Sequence, residues 1–393
     1  MGTRIATSIA AGSPSAAVAL LALDARSRLG GATPSLLVAF ASTAQPLHEL
    51  MPGLAAEFPG VPLLGASTAG EFTERGDAKS SAVLFALSGE YQAFTGLGTG
   101  LRADPERAVL AALEGLPGEV AGLPHKTAIL LIDPLSGNGE EATLLAASHI
   151  GMAVPLVGGA AGDDLAMKRT EVASGARAVS DAVSVALLFS KEPLGLGVCH
   201  GHAPLSRSLS VTRAQGSVVY EIEGRPAWDV WLEHTREAAG RRGIDVARLS
   251  PDQEGAYLLR YEAGLAAGDE LKIRAPLSRG ADGSISFACG IPEGAVIRIT
   301  ESEPEHQVNS AREAAKRALA RLGNRPVAGA LVFDCICRNL ILGDAFARAV
   351  HGMSEALGNA PLAGFETYGE IALDVGDMSG FHNTTSVVLA FPV

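Results

Sequence analysis

Three short segments of the chain combine a glycine turn with hydroxyl groups and a carboxylate, residue types that could bind a small charged molecule. They read VPLLGASTAGEF (61–72), VPLVGGAAGDDL (154–165) and APLAGFETYGEI (360–371). In each, a second glycine precedes an acid: Glu71, Asp163 and Glu370. Free N–H groups and hydroxyls in such a turn form a concavity that accepts an anion, and the carboxylate can hold an ammonium group. Small residues also permit tight packing between sheets, so a purely structural role stays open.

A second candidate for chemistry ends the apolar segment AGALVFDCI (328–336). Arg338 follows Cys335 closely and could lower the pKa of that thiol, which would give a reactive thiolate. Arg338 could equally hold a ligand carboxylate through two parallel hydrogen bonds. The structural alternative is a buried cysteine, with Arg338 paired to Asp334 or Glu370.

Familiar enzyme signatures do not match. GASTAG (65–70) has one residue too many for the GxSxG turn of a hydrolase, and GGAAGDD (158–164) fits neither a dinucleotide fingerprint nor a phosphate loop. His200 and His202 would lie on one side of an extended strand and could bind a metal, but no third ligand is near in sequence. These patterns favour a binding protein over an enzyme.

The three glycine segments fall in matching surroundings, which predicts a repeated α/β unit. Each unit is predicted to open with a capped helix, and the caps are Ser13-Pro14, Asp104-Pro105 and Ser310 with Glu313. An apolar strand follows (35–42, 127–133, 328–336), then a second helix (45–58, 138–150, 343–357), the glycine segment and a last strand. The crossover rule makes the first two strands parallel, and the last is expected to pair antiparallel. We therefore predict an α/β fold with mixed sheets and helices on their outer faces.

An inserted α+β segment of about residues 195 to 308 separates the second unit from the third. Strands are predicted at 208–224, 256–262, 269–277 and 295–302, with a helix from Pro226 that places Trp228, Trp231 and Leu232 on one face. These patterns predict two domains. Residues 1–222 would hold the first two units, and residues 223–393 would hold the rest of the insertion and the third unit.

Composition narrows the classes of partner. Asp and Glu number 43 against 31 Lys and Arg, which gives a net charge of −12. This charge disfavours a nucleic-acid partner, because nucleic-acid binding draws its affinity from the neutralisation of phosphates.

Four cysteines without a CxxC motif fit a reducing cytoplasm. Residues 5–23 lack charges but are interrupted by Gly12, Ser13 and Pro14, so a strand, turn and helix are predicted there instead of a signal peptide. No segment is long and apolar enough to span a bilayer, so we expect a cytoplasmic protein with no membrane partner.

The chain resembles the FIST family, whose N-terminal domain is followed by a C-terminal domain. The resemblance rests on the first two glycine segments, on CHGHAPLSRSLSVTRAQGSVVYEIEGRPAWDV (199–230), and on FDCICRNL (333–340) with GFETYGEIA (364–372). It covers nearly the whole chain from about residue 30. One motif departs from the family pattern. The sequence reads GHAP (201–204) where members often carry an aromatic residue after the glycine.

The resemblance implies a cytoplasmic, non-enzymatic sensory protein of signal transduction that binds a small polar molecule, with amino acids as proposed ligands. We expect an interdomain pocket in which Tyr368 and Glu370 hold an ammonium or hydroxyl group and Arg338 holds a carboxylate. The other expected ligand-binding residues are Thr367, Cys335, Ser67, Thr68, Glu71, Gly159, Asp163, Asp164 and Asn383. Any signal would pass to a separate partner, either a kinase or a cyclic-di-nucleotide enzyme.

Two alternatives remain at this stage. Some family members are described as haem-binding nitric-oxide sensors, and haem would need one of His200, His202 or His382 as its axial ligand. The other alternative is a hydrolase or transferase that uses Cys335, although no histidine occupies a recognisable base position.

Overall fold

One pattern of strands and helices occurs three times in the computed structural model, which describes residues 2–268, 270–374 and 380–393. The first unit consists of β1 (Arg4–Ala11), α1 (Pro14–Arg28), β2 (Leu36–Ala41), α2 (Leu47–Glu57), β3 (Leu63–Ser67), β4 (Glu71–Thr73), β5 (Gly76–Ala78) and β6 (Ser81–Ser88). The second consists of β7 (Tyr91–Thr99), α3 (Pro105–Leu113), β8 (His125–Ile132), α4 (Gly139–Ile150), β9 (Leu156–Ala160), β10 (Val172–Ser174), β11 (Arg177–Val179) and β12 (Ala182–Ser190).

The third unit opens with β13 (Gly195–His200) and is then interrupted. The inserted segment contains β14 (His202–Pro204), β15 (Leu209–Gln215), β16 (Val218–Ile222), β17 (Arg225–Pro226), α5 (Ala227–Arg241), α6 (Pro251–Arg260), β18 (Tyr261–Ala267), β19 (Glu270–Arg274), β20 (Pro276–Arg279), β21 (Ile285–Phe287) and β22 (Val296–Ser302). The unit resumes with α7 (Pro304–Arg321), β23 (Val327–Cys335), α8 (Ile336–Leu342), α9 (Phe346–Ala356), β24 (Leu362–Thr367), β25 (Glu370–Leu373), β26 (Phe381–His382) and β27 (Thr385–Pro392).

The sheet of each unit is mixed, as predicted. The second and third strands, β2 with β3, β8 with β9 and β23 with β24, are parallel. The last strand lies between the first and second strands and is antiparallel to both. Helices α1 with α2, α3 with α4 and α7 with α9 cover one face of each sheet. The predicted class, α/β with mixed sheets and helices on their outer faces, is confirmed.

A short hairpin leaves each unit and completes the sheet of another. Hairpin β4–β5 of the first unit pairs with β24 of the third, and β10–β11 of the second pairs with β3 of the first. Hairpin β25–β26 of the third unit pairs with β9 of the second. The exchange is cyclic, so every sheet of the repeat contains strands from two units.

The inner faces of these three sheets share one apolar core. Phe40, Phe333 and Phe365 meet there, and the ring centroids of Phe40 and Phe365 are 4.4 Å apart. The centre shared by the three units is therefore packed with side chains, and a ligand site has to lie elsewhere.

The inserted segment forms a fourth sheet in the order β19-β18-β22-β15-β16-β21-β20, with α5 and α6 packed on it. Trp228 and Trp231 are buried in its core, as the helical spacing indicated. Strand β16 pairs with β17, so residues 221 to 226 form a hairpin inside this sheet. The domain division at residues 222 and 223 remains a prediction.

Some details of the predicted elements are wrong. The strand predicted at 208–224 is a hairpin of β15 and β16, which pair antiparallel. Helix α7 begins at Pro304, because proline is favoured in the first helical turn, so Ser310 is a buried interior residue instead of a cap. The second and third units open with a strand, β7 or β13, before their first helix; a strand was predicted there only in the first unit, where β1 lies. Residues 256–260 lie in α6, which a Ser250–Gln253 capping box starts, and the strand follows only at Tyr261.

Candidate functional site

The guanidinium of Arg338 lies at the centre of a buried polar network in the third unit. Arg338 Nε donates to Asp334 Oδ1 at 2.7 Å, and Nη2 donates to the carbonyl oxygen of Gln307 at 3.0 Å. Nη1 donates to Gln307 Oε1 and, at 2.7 Å, to Ser310 Oγ. The side chain is fully buried. The N–H groups with which Arg338 would hold a ligand carboxylate thus already donate to acceptors within the protein. The pairing with Asp334 agrees with the structural role that the sequence left open.

This network is special to the third unit. The first glycine of each glycine segment aligns the three units with one another. In the neighbouring parallel strand, Gly65, Gly158 and Gly364 lie opposite Ala39, Leu130 and Val332 respectively. Two residues further on, Asp334 corresponds to Ala41 and Ile132. Ser386, which donates to Asp334 Oδ2 at 2.5 Å, corresponds to Ala82 and Val183. Since two units build the same sheet with apolar residues, the fold does not require the buried charges.

Glu370 and Cys335 are buried beside this network. Glu370 Oε1 accepts from Thr367 Oγ1 at 2.5 Å, and Oε2 accepts from the Thr385 N–H at 3.1 Å. Burial raises the pKa of Glu370 well above its ordinary value, and it raises the pKa of the Cys335 thiol in the same way. A neutral, enclosed thiol is a poor nucleophile, so this environment gives no support to a Cys335-dependent enzyme.

Glu71 repeats the arrangement of Glu370 in the first unit. It accepts from Thr68 Oγ1 at 2.6 Å and from the Ser81 N–H at 3.0 Å. Burial raises the pKa of Glu71 to about 7 and that of its neighbour Glu366 to about 8. At the corresponding place in the second unit, Val172 replaces the acid. The alignment of the three glycine segments places Asp163 opposite Glu71 and Glu370, but in the structure Asp163 lies in a loop before the hairpin β10–β11.

Asp163 and Asp164 join units to one another. Asp163 Oδ1 accepts from Tyr368 Oη at 2.6 Å, and its carboxylate also accepts three backbone N–H groups of residues 167–169. Asp164 Oδ2 accepts from Ser42 Oγ at 3.0 Å and from the Thr43 N–H at 2.8 Å. Tyr368 therefore holds the second unit's loop, and it does not lie with Glu370 around one ligand group as expected.

Ser67 and Gly159 serve close packing between units. Ser67 Oγ accepts from the Glu171 N–H at 2.8 Å, beside the incoming hairpin. A Cβ at Gly159 would lie 2.6 Å from Thr367 Cγ2, so glycine permits the approach of the third unit. At both positions, close packing between units explains the type of residue.

His202 forms a second buried polar group, shared with the inserted sheet. Thr300 Oγ1 donates to the Glu262 carbonyl oxygen at 2.9 Å, so it accepts from His202 Nδ1, 3.1 Å away. His202 Nε2 then carries a lone pair, is buried without a hydrogen bond, and lies 3.7 Å from Glu262 Oε2. Burial lowers the pKa of His202 and raises that of Glu262, so it favours the neutral form of both groups. Glu262 also accepts from Thr384 Oγ1 at 2.8 Å.

A cavity of about 510 Å³ opens above these two groups, between α7 and the chain that runs from β13 into β14. Ser310 and His202 connect it to the Arg338 network and to Glu262. It is lined by Cys199, His200, Gly201, His202, Ala203, His306, Asn309, Ser310, Arg312, Glu313 and Lys316. A Cβ at Gly201 would lie 2.7 Å from the Gln307 backbone, so this glycine lets the chain cross close to α7.

Sequence reasoning missed several of these residues. Gln307, His202 as a partner of Glu262, and Asn309 lie in the insertion or at the start of α7, where no repeated motif marks them. Arg274 was also missed; it is buried and joins the inserted sheet to the second unit through Glu140 Oε1, at 2.7 Å. Asn383, which was expected at the site, lies near that contact and accepts from the Ala275 N–H at 3.3 Å.

Of the three candidate haem ligands, His200 and His202 line the cavity and His382 does not. Haem requires an apolar slot beside its axial ligand, and the charged side chains of Arg312, Glu313 and Lys316 contribute to the lining of this cavity. His382 Nε2 lies 3.1 Å from the Ala372 carbonyl oxygen. Within the ranges that the structure describes, no three His, Cys, Asp or Glu side chains are grouped to hold a metal. No helix in those ranges is long and apolar enough to cross a membrane.

Comparison with known families agrees with this architecture. Residues 35–225 match the FIST N domain, and residues 230–373 match the FIST C domain. The chain belongs to the FIST family. FIST domains are sensory domains of signal transduction. The cavity lies within the stretch matched by these two domains, where the third unit meets the inserted segment.

Curated relatives of this FIST protein carry no assigned function. It is 26% identical over 170 residues to the uncharacterized protein MJ1623 of Methanocaldococcus jannaschii, which is 42% of this chain and 33% of the relative. It is 29% identical over 205 residues to the uncharacterized protein Mb0898c of Mycobacterium bovis, 49% of each chain. A Mycobacterium tuberculosis protein, MT0656, is 28% identical over 203 residues. The chain spans half or less of the length of these relatives.

Proposed function

We propose that this protein senses a small polar molecule in the cavity between α7 and residues 199–203, and that a separate signalling protein reads the bound state. A kinase or a cyclic-di-nucleotide enzyme is the proposed partner. The observation that carries the proposal is the position of the cavity, directly above the buried network of Arg338 and beside His202 and Glu262. Buried polar groups that the fold does not require are costly, and they concentrate at functional sites.

Binding, and not catalysis, is the activity that this site supports. Cys335 is buried as a neutral thiol, and the buried carboxyls Glu262 and Glu370 are held by hydroxyl and N–H donors. A ligand that reorders Ser310 or His202 would change the hydrogen bonds of Arg338 and Glu262, and through them the contact between the third unit and the inserted sheet.

A blocking variant tests the location. Asn309 is exposed on the cavity wall, so Asn309→Trp should fill the cavity without disturbing the core. A metabolite library that contains acids, amines and neutral compounds would be screened by thermal shift against the wild type. Hits should bind the wild type and fail to bind Asn309→Trp. The matched control is Glu237→Trp, an exposed helical position outside the cavity, and it should bind like the wild type. Equal binding by all three proteins would place the ligand elsewhere.

A further inference from the structure

The hydrogen-bond donors that face the cavity come from one stripe of α7. Positions 306, 309, 312–313 and 316 follow one another at three- and four-residue spacing, so their side chains share one helix face. His306, Asn309, Arg312 and Lys316 contribute an imidazole, an amide, a guanidinium and an ammonium group. Glu313 is the one acid among the lining residues that the structure describes.

Two arginines lie near the floor of the cavity, and each is paired with a carboxylate: Arg338 with Asp334, and Arg317 with Glu270. Arg338 Nη1 donates to Ser310 Oγ in the lining, so its charge lies just beneath the cavity surface. Arg317 is close by and donates to the Val198 carbonyl oxygen at 2.9 Å and to Glu270 Oε1 at 3.1 Å. Burial is the main cause that lowers the pKa of both His200 and His202; Arg338 acts in the same direction, and Glu270 opposes it at His200.

The two inner histidines present no competing donors. His200 Nδ1 accepts from the His202 N–H at 3.2 Å, and the same ring contacts the backbone of Leu271 through a hydrogen bond. His202 Nδ1 is engaged by Thr300. The free donors are therefore those of the α7 stripe, above all the Lys316 ammonium group and the Asn309 amide, both of which are exposed.

We propose that the group bound in this cavity is an anion, either a carboxylate or a phosphate, held by the α7 stripe of Asn309, Arg312 and Lys316. This inference rests on the cavity being the binding site of the proposed function. Arg312 also pairs with Glu355 at 2.9 Å, which fixes its side chain on this face of α7. An ammonium ligand would meet repulsion from Lys316, and Glu313 is the one acid that the described lining residues offer it.

The test uses the imidazole C–H signals of the full-length protein in ¹H–¹³C NMR. Four probes would be titrated at constant ionic strength: acetate, inorganic phosphate, acetamide as the neutral analogue of acetate, and methylammonium. Acetate or phosphate should shift the His200, His202 and His306 signals saturably, and the one that binds tighter identifies the kind of anion. Acetamide and methylammonium should leave these signals in place.

A charge-removing variant makes the test specific. Lys316→Gln should weaken binding of the anion about tenfold, because a charge-assisted hydrogen bond is lost. Lys79→Gln, an exposed lysine outside the cavity, should leave the affinity unchanged. Equal binding to Lys316→Gln, or shifts with acetamide or methylammonium that match those with acetate, would overturn the anion assignment and leave the cavity as the site. A further outcome is that none of the four probes shifts these signals even in large excess, while library hits still depend on Asn309. The anion assignment is then wrong, and the proposed function stands.

Discussion

At the scale of single residues, the sequence identified the unusual groups but not their partners. Cys335 and Arg338 were singled out because they end an apolar strand, and Glu370 because it follows a glycine turn. The role of Arg338 depends on Gln307, which precedes it by about thirty residues on another element. Hydrogen bonds between distant segments leave no periodic signal in a sequence, so the choice between ligand clamp and internal ion pair required the structure.

Removing Arg338 should destabilise the fold strongly. Arg338→Leu leaves the buried Asp334 carboxylate without its cationic partner and Gln307 Oε1 without the Arg338 donor, and breaking a buried pair costs about 3–5 kcal/mol of unfolding free energy. Arg348→Leu is the control, because Arg348 pairs with Glu305 at the surface, where solvent screens the pair, and its loss should change stability little. Urea denaturation of both variants measures the difference. A loss for Arg338→Leu as small as that of the control would mean that its charge is not structurally required and is free for a ligand.

At the scale of elements, the repeated unit was predictable and the exchange of hairpins was not. Glycine caps, apolar strands and proline starts mark each helix and strand locally, and the crossover rule gives the parallel pairs. Nothing local indicates that β4–β5 joins the sheet of the third unit. Strands of three or four residues are too short to show whose edge they pair with. The strand β7 was missed for a related reason, since glycines replace side chains where it packs against α3.

The exchanged hairpin β4–β5 brings Glu71 beside Glu366 of β24, which should make stability depend on pH. In the unfolded chain both carboxyls ionise near their ordinary pKa of 4.5, whereas the folded protein holds the protons until about pH 7 and 8. The folded state therefore binds more protons between these values, and the free energy of unfolding falls as pH rises, by about 1.4 kcal/mol per pH unit for each proton. Above about pH 8 the loss is complete.

Glutamine variants isolate this effect. Glu71→Gln and Glu366→Gln should each lose less stability than the wild type between pH 5 and pH 8, because a neutral amide has no proton to release. Chemical denaturation at several pH values gives the slopes. Glu237→Gln, an exposed acid, should follow the wild type. Parallel pH curves for all four proteins would contradict the assignment of the slope to this pair.

At the scale of the whole molecule, the cyclic exchange ties the three units into one structure. The sheet of the third unit needs β4–β5 and β13 from residues before 222, and the sheet of the second unit needs β25–β26 from beyond it. Strands β14, β15 and β16 also join β22 and β21 across the same point of the sequence. Two domains thus follow one another along the sequence, but each contributes strands to sheets that belong mainly to the other.

The full-length protein should therefore unfold in a single cooperative transition, although chains of this length commonly melt domain by domain. Separating residues 1–222 from 223–393 would expose the edges of β9 and β24, each of which is buried and would lose its hairpin partner. Differential scanning calorimetry of the whole chain should give equal calorimetric and van't Hoff enthalpies. Each half alone should lack a cooperative melt, and mixing the halves should restore one. Two resolved transitions in the full chain, or a half that melts cooperatively on its own near the full-length Tm, would show that the exchanged hairpins contribute little and that the units are independent.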